Sequence, residues 1–306
     1  MLGLGGGGLP AGVAAPGRLT PFVRRHQLGA RMMTNLVLGA GFHASGAKPV
    51  DGSAYERYIG RWSRMFVPTL LASAEVSEGD LVLDVATGTG EAAVLARALV
   101  GRSGFIVASD ISPTMLATAS DRMAPGPFGA VVADGEALPF RDDAFGAVFC
   151  HLGLMFFQSP KRGLAEFRRV VRPERRVAAC VISNAEKAPI WGFLAEALSQ
   201  QLPAERSTLF LSFSLAEEAR LRQLMLDVGF RDVRVVRERQ EGFVASFEEY
   251  WDAVEQGVGM MPQAYRALPA VAQRSVRASV RRCLSGFKSG NGYQLGVEML
   301  VASGRR

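Results

Sequence analysis

Residues 81–91 read LVLDVATGTGE, a short apolar run that breaks into a turn with two glycines and then enters an Ala- and Leu-rich stretch. The run has the length of a buried strand. Helix formers then continue to Gly101, a residue suited to a left-handed helix end. Those residues specify one βα unit. Working outward, 105–109 gives a second strand, after which Ser112-Pro113 offers an N-cap side chain and a proline at the first helical position. Residues 130–133 and 147–150 give strands three and four, Ser159-Pro160 repeats the helix start, and Pro173 precedes a fifth strand at 177–182. Strands alternating with helices need right-handed crossovers, so the expected fold is α/β, mostly a parallel sheet with helices on both faces. Ligands then belong at the carboxyl ends of the strands.

Upstream, YERYIGRWSRMFVPTLLASA over 55–74 has helical periodicity with interleaved arginines. Downstream, 215–228 reads as a helix ended by Gly229, 233–236 as a strand and 294–302 as the last strand. The helical stretch 246–285 between those two strands is a long insertion, expected to act as a lid over an acceptor pocket. The domain reading is therefore a poorly ordered extension over 1–50 followed by one catalytic domain over 51–306. The extension is open to three readings: a start upstream of the true one at Met32 or Met33, a disordered tail, or an Arg-bearing transit peptide.

The loop Gly88-Thr89-Gly90, with Ala93, satisfies a general nucleotide-loop pattern, and Asp110 lies 20 residues after Gly90. That pattern alone is common. The discriminating feature is three carboxylates at successive strands: Asp84 in the first, Asp110 ending the second and Asp134 ending the third. Any one of them could simply cap a helix or make a turn, but three at matching strand ends point to a ligand. A pyrophosphate is repelled by such a set. S-adenosylmethionine (SAM), with a sulfonium, an ammonium and no phosphate, is attracted. Asp110 suits the ribose hydroxyls, and Asp134 or the backbone around Gly135 suits an adenine amino group.

The segments LVLDVATGTGE, SDISPTML, ADGEALPF and HLGLMFFQSPKRGLAEFRRVVRP, in that order, resemble the motif series of class I SAM-dependent methyltransferases, in particular the ubiquinone and menaquinone biosynthesis group. The resemblance implies a Rossmann-like fold with a seven-stranded sheet whose last strand is antiparallel. It places Asp84, Ala86, Gly88, Thr89 and Gly90 around the methionine part, Asp110 and Ile111 at the ribose, and Asp134 and Gly135 at the adenine. It also places a cofactor contact just after strand four, where His151 stands. Two positions depart from the family pattern. Ala86 replaces the first loop glycine, and Pro173-Glu174-Arg175-Arg176 replaces a Gly-Gly turn, so a left-handed residue there would carry strain.

His151 is the only histidine outside residues 1–50. It reads either as a cofactor contact or catalytic base, or as a strand-end histidine bonded to backbone. Tyr58 and Trp62 read as core residues or as an aromatic cover for a sulfonium. Met155, Phe156 and Phe157, with 247–261, read as an acceptor pocket or as helix packing. The arginines between Arg274 and Arg282 read as a solvated face or an anion site. Composition narrows the partners. Formal charge is +6, but residues 1–50 hold five basic residues and no acid, leaving 30 basic against 29 acidic residues elsewhere. Nucleic acid is therefore not an expected partner. No apolar run reaches the ~18 residues of a membrane span. Cys150, Cys180 and Cys283 have neither disulfide nor metal spacing, so no metal and a cytoplasmic setting are expected. The function read from the sequence is methyl transfer from SAM to a small-molecule acceptor, a quinone, polyketide or lipid-like compound, at an O, N or C centre. The alternatives are a non-catalytic SAM-binding protein and an NAD-dependent oxidoreductase.

Overall fold

The computed structural model describes residues 52–306, so the extension expected over 1–50 lies outside the described residues. Eight strands form one sheet: β1 (Leu81–Val85), β2 (Phe105–Asp110), β3 (Phe128–Val132), β4 (Phe145–His151), β5 (Val171–Ile182), β6 (Arg231–Val244), β7 (Lys288–Ser289) and β8 (Gly292–Arg305). The order is β3-β2-β1-β4-β5-β8-β6, with β7 paired to β8. The strands from β3 to β5 pair parallel, whereas β8 runs antiparallel to both β5 and β6. The expected seven strands need correcting to eight: Lys288–Ser289 folds back on Gly292 and Tyr293 as a two-residue hairpin arm, too short to leave a periodic signal. The chain reverses its direction of winding between β1 and β4, which opens a crevice at their carboxyl ends.

Local chemistry sets the helices that flank this crevice. Ser112 Oγ accepts from Met115 N to cap the helix Pro113–Met123, and Ser159 Oγ accepts from Arg162 N to cap Pro160–Val170. Gly101, with φ +65°, ends Glu91–Val100. Gly90 (φ +85°) starts that same helix, and a Cβ there would sit 2.9 Å from Ala119 Cβ. Loop and following helix can therefore pack closely on Pro113–Met123 only with glycine at this position.

Two regions are more irregular than their sequence periodicity. The stretch expected as one helix over 55–74 is a series of short turns, with a π-helix at Glu56–Gly60 between Gly52–Tyr55 and Arg61–Ser63. Gly60 leaves room for the Glu56 carboxylate, which folds over it. The insertion is three helices, Phe247–Gln256, Met260–Ala267 and Ala270–Ser285. Phe247 stacks on Trp251, and Trp251 meets Tyr265 edge to face. Arg281 lies 4.0 Å above Phe247 and bonds Glu248 at 2.8 Å, so the basic face of the last helix clamps the insertion together. Among the described residues no helix is long and apolar enough to cross a membrane.

Candidate active site

A cavity of about 770 Å³, mouth included, occupies the crevice. The turns after four strands build it. Ala86 and Gly88 follow β1, Asp110 and Ile111 close β2, Ala133 to Glu136 follow β3, His151 ends β4 and Leu152 and Gly153 follow it. Gly88 has φ +56°, and a Cβ on it would meet nothing within 4 Å, so the loop presents bare backbone to open space. Ala86 adopts φ +55° and Leu152 φ +58°, a strain of order 1 kcal/mol each in residues with a Cβ. The carboxylate of Asp110, 9% exposed, is held by two backbone donors: Gly88 N to Oδ2 and Ser112 N to Oδ1, both at 2.8 Å. Burial still raises its pKa, with those donors pulling the other way. Asp134 Oδ1 accepts from Glu136 N at 2.9 Å, which fixes the turn after β3.

Seven of the residues singled out in the sequence therefore meet around one space: Ala86, Gly88, Asp110, Ile111, Asp134, Gly135 and His151. Asp84, Thr89 and Gly90 stand behind that lining. Asp84 is fully buried. Its Oδ2 accepts from Thr87 Oγ1 at 2.6 Å, its Oδ1 has no hydrogen-bond partner, and burial pushes its pKa up to about 7. Thr89 Oγ1 instead donates to Glu56 at 2.8 Å.

His151 lines the cavity with both ring nitrogens buried, close to the Ser63 backbone. Burial lowers its pKa to about 4, and the nearby Ser63 backbone offsets that only in part. The imidazole is thus neutral at pH 7 and does not repel a cation. Trp62, expected as core or cover, packs against Gly242 of β6 and lines neither this cavity nor the next.

Six lining residues were not singled out in the sequence reading: Tyr55, Met115, Ala133, Glu136, Leu152 and Gly153. Tyr55 matters most, because it also lines a second cavity of about 520 Å³, shared with Leu152 and Phe156. Its phenol is raised above its ordinary pKa, by burial first and then by Glu56, Asp110 and Glu91. The second cavity is lined as well by Met155 and Trp191 and by residues 258–262 of the insertion. Phe157 belongs to the first cavity rather than the second.

Residues 83–179 match the family described as a methyltransferase domain. The chain is similar to class I methyltransferases. The ubiquinone/menaquinone biosynthesis C-methyltransferase UbiE of Xanthomonas campestris pv. campestris is 39% identical over 115 residues, 36% of this chain and 44% of that protein. The chain thus spans less than half the length of this methyltransferase. Among solved structures, the YcgJ protein from Bacillus subtilis has a TM-score of 0.54 at 14% identity, covering 79% of this chain and 98% of that one. Haemonchus contortus phosphoethanolamine N-methyltransferase 2, in complex with S-adenosyl-L-methionine, has a TM-score of 0.52 at 15% identity, covering 83% of this chain and 56% of that one. These two show the Rossmann-like methyltransferase fold.

Proposed function

We propose that the protein transfers a methyl group from SAM to a small-molecule acceptor, with SAM in the first cavity and the acceptor in the second. One observation carries the choice of cofactor. Among the described residues, the first cavity is lined by three carboxylates, Asp110, Asp134 and Glu136, and by no lysine or arginine. A pyrophosphate would find no counter-charge there, which disfavours an NAD-dependent reaction. A cationic sulfonium with a neutral adenine fits that lining. The bare backbone at Gly88 gives such a ligand room to approach the loop closely.

In this reading Asp110 holds the ribose hydroxyls, Asp134 and Gly135 face the adenine, and Ala86 and Gly88 face the methionine part. Asp84 and Thr89 support the loop from behind. When bound, SAM supplies a methyl group on a sulfonium, already an excellent leaving group. The protein's task is then alignment and exclusion of water. Tyr55, Leu152 and Phe156 form the boundary across which the methyl group passes. His151 serves better as a neutral contact than as a base, since a group with a pKa near 4 takes up protons weakly at pH 7.

The test is thermal denaturation with SAM, S-adenosylhomocysteine (SAH) or NADH, followed by transfer of labelled methyl from SAM into a panel of acceptors. Stabilisation by SAM and SAH but not NADH, with labelled product, is expected. Stabilisation by NADH alone would reverse the assignment, and SAM binding without any transfer would favour the non-catalytic alternative.

A further inference from the structure

SAM carries a sulfonium, an ammonium and a carboxylate. The two cations suit the first cavity, but the carboxylate does not. Among the described residues, Asp110, Asp134 and Glu136 line that cavity and no lysine or arginine does. Arg122, which donates to Thr89 O of the glycine loop at 3.0 Å, is neutralised by Glu56 at 3.1 Å and Glu91 at 2.8 Å, and Arg64 is paired with Glu56 at 2.7 Å. Backbone donors of the loop are taken as well. Thr87 N donates to Ser109 O at 3.0 Å, Gly88 N to Asp110 at 2.8 Å and Gly90 N to Thr87 O at 2.9 Å. Tyr55 lines both cavities, and its pKa is raised by burial first and then by Glu56, Asp110 and Glu91. The potential where the two cavities meet is therefore negative. A carboxylate placed there loses its hydration without gaining a counter-charge.

From this acidic lining and these occupied donors, we infer that the first cavity recognises the adenosyl group and the cationic end of its ligand but not the carboxylate, so that it takes adenosyl sulfonium amines as a class, decarboxylated SAM among them. The inference rests on the proposed place of SAM in the first cavity. Removing the carboxylate makes the ligand more cationic and deletes its one repelled group, while the groups that face Asp110, Asp134 and Gly135 stay the same. Glu56 and Glu91 set the preference. Neutralising either leaves Arg122 with one acid fewer and weakens the field at Tyr55, and both changes favour a carboxylate.

Calorimetric titration of SAM and of decarboxylated SAM into the full chain, free and saturated with SAH, tests this. Decarboxylated SAM is expected to bind the free protein at least as tightly as SAM does, and to give no heat with the SAH-saturated protein. In Glu56→Gln, and in Glu91→Gln as a second variant that leaves the Glu56 bond to Thr89 in place, the ratio of the two affinities shifts toward SAM by at least about threefold. A purely structural role of these glutamates would move both ligands together and leave that ratio unchanged. Weaker binding of decarboxylated SAM than of SAM to the unaltered protein overturns the inference, as does a ratio that neither variant moves, or decarboxylated SAM that binds alongside SAH. Failure of both SAM and decarboxylated SAM to bind instead overturns the proposed cofactor.

Discussion

Asp84 and His151 lie on the neighbouring strands β1 and β4, and burial moves their ionisation in opposite directions, to about 7 and about 4. In the unfolded chain an aspartate titrates near 3.9 and a histidine near 6.5. Between those limits the folded state holds an extra proton on Asp84, so that contribution is fully present below about pH 4 and lost as the pH rises to 7. His151 does the reverse: the unfolded state holds the extra proton, and the contribution present above pH 6.5 is lost as the pH falls to 4. Each group changes stability by up to about 1.4 kcal/mol per pH unit, with opposite sign. Urea unfolding at pH 4.5, 5.5 and 6.5 should therefore show stability climbing more steeply with pH in Asp84→Asn than in the parent protein. In His151→Gln it should climb less or fall. Identical profiles in all three proteins would refute the opposed burial of the two groups.

Glu174 tests strain at a single residue. It adopts φ +63° at the position where the sequence replaces a Gly-Gly turn, as its departure from the family pattern suggested. Charge holds the turn in place. Arg175 pairs with Asp80, and buried Arg176 pairs with Asp232 and lies 2.9 Å from Glu75, while Arg305 donates to Glu174 O at 2.6 Å. Glu174→Gly keeps those partners, loses only an exposed pair with Arg231, and relieves about 1 kcal/mol of left-handed strain, so Tm should rise by about 2 °C. A fall in Tm would mean that the turn is not strained. Residues at strand ends were legible because register fixes them: Asp110, Asp134 and His151 follow from counting along strands. Asp84 was located on its strand, but the Thr87 hydroxyl that takes one of its oxygens was not. A pattern of residue types says where a side chain starts, not which neighbour reaches it first.

At the scale of elements, the first helical segment is tied to the glycine loop. Glu56 accepts from Thr89 at 2.8 Å, from Arg122 at 3.1 Å and from Arg64 at 2.7 Å, while Arg122 also pairs with Glu91 at 2.8 Å. This network keeps Tyr55 against both cavities. Glu56→Ala should weaken SAM binding about tenfold, or about 1.4 kcal/mol, and speed amide exchange over residues 54–66. Unchanged exchange there would show that the segment is held by its apolar contacts alone. Tyr55 escaped the sequence reading because its address depends on the π-turn at Glu56–Gly60, and regular 3.6-residue periodicity cannot place a side chain beyond such a widening. The insertion was legible as helical because its apolar spacing is regular. Its two parts that line the second cavity, the turn at 258–259 and the methionines after it, are set by tertiary packing.

Across the whole molecule, the alternation of strands and helices was enough to specify the parallel core, and two of the three carboxylates singled out, Asp110 and Asp134, line the crevice at its carboxyl edge. Sequence pattern undercounted the sheet edge, where β6 extends to 14 residues, Arg231–Val244. Its charged side chains alternate with half-buried ones, and that polar face hid all but residues 233–236 from an apolar search. The same architecture places the central claim on one residue, since Asp110 joins the glycine loop, the end of β2 and the start of the next helix. Calorimetric titration of SAH into the unaltered protein and into Asp110→Asn, with NADH as the control ligand, is the most direct measurement. The account predicts micromolar SAH binding, at least about a hundredfold weaker in Asp110→Asn at unchanged fold, and no heat from NADH. Equal SAH affinity in the two proteins, or a folded parent protein that binds NADH and not SAH, would contradict it.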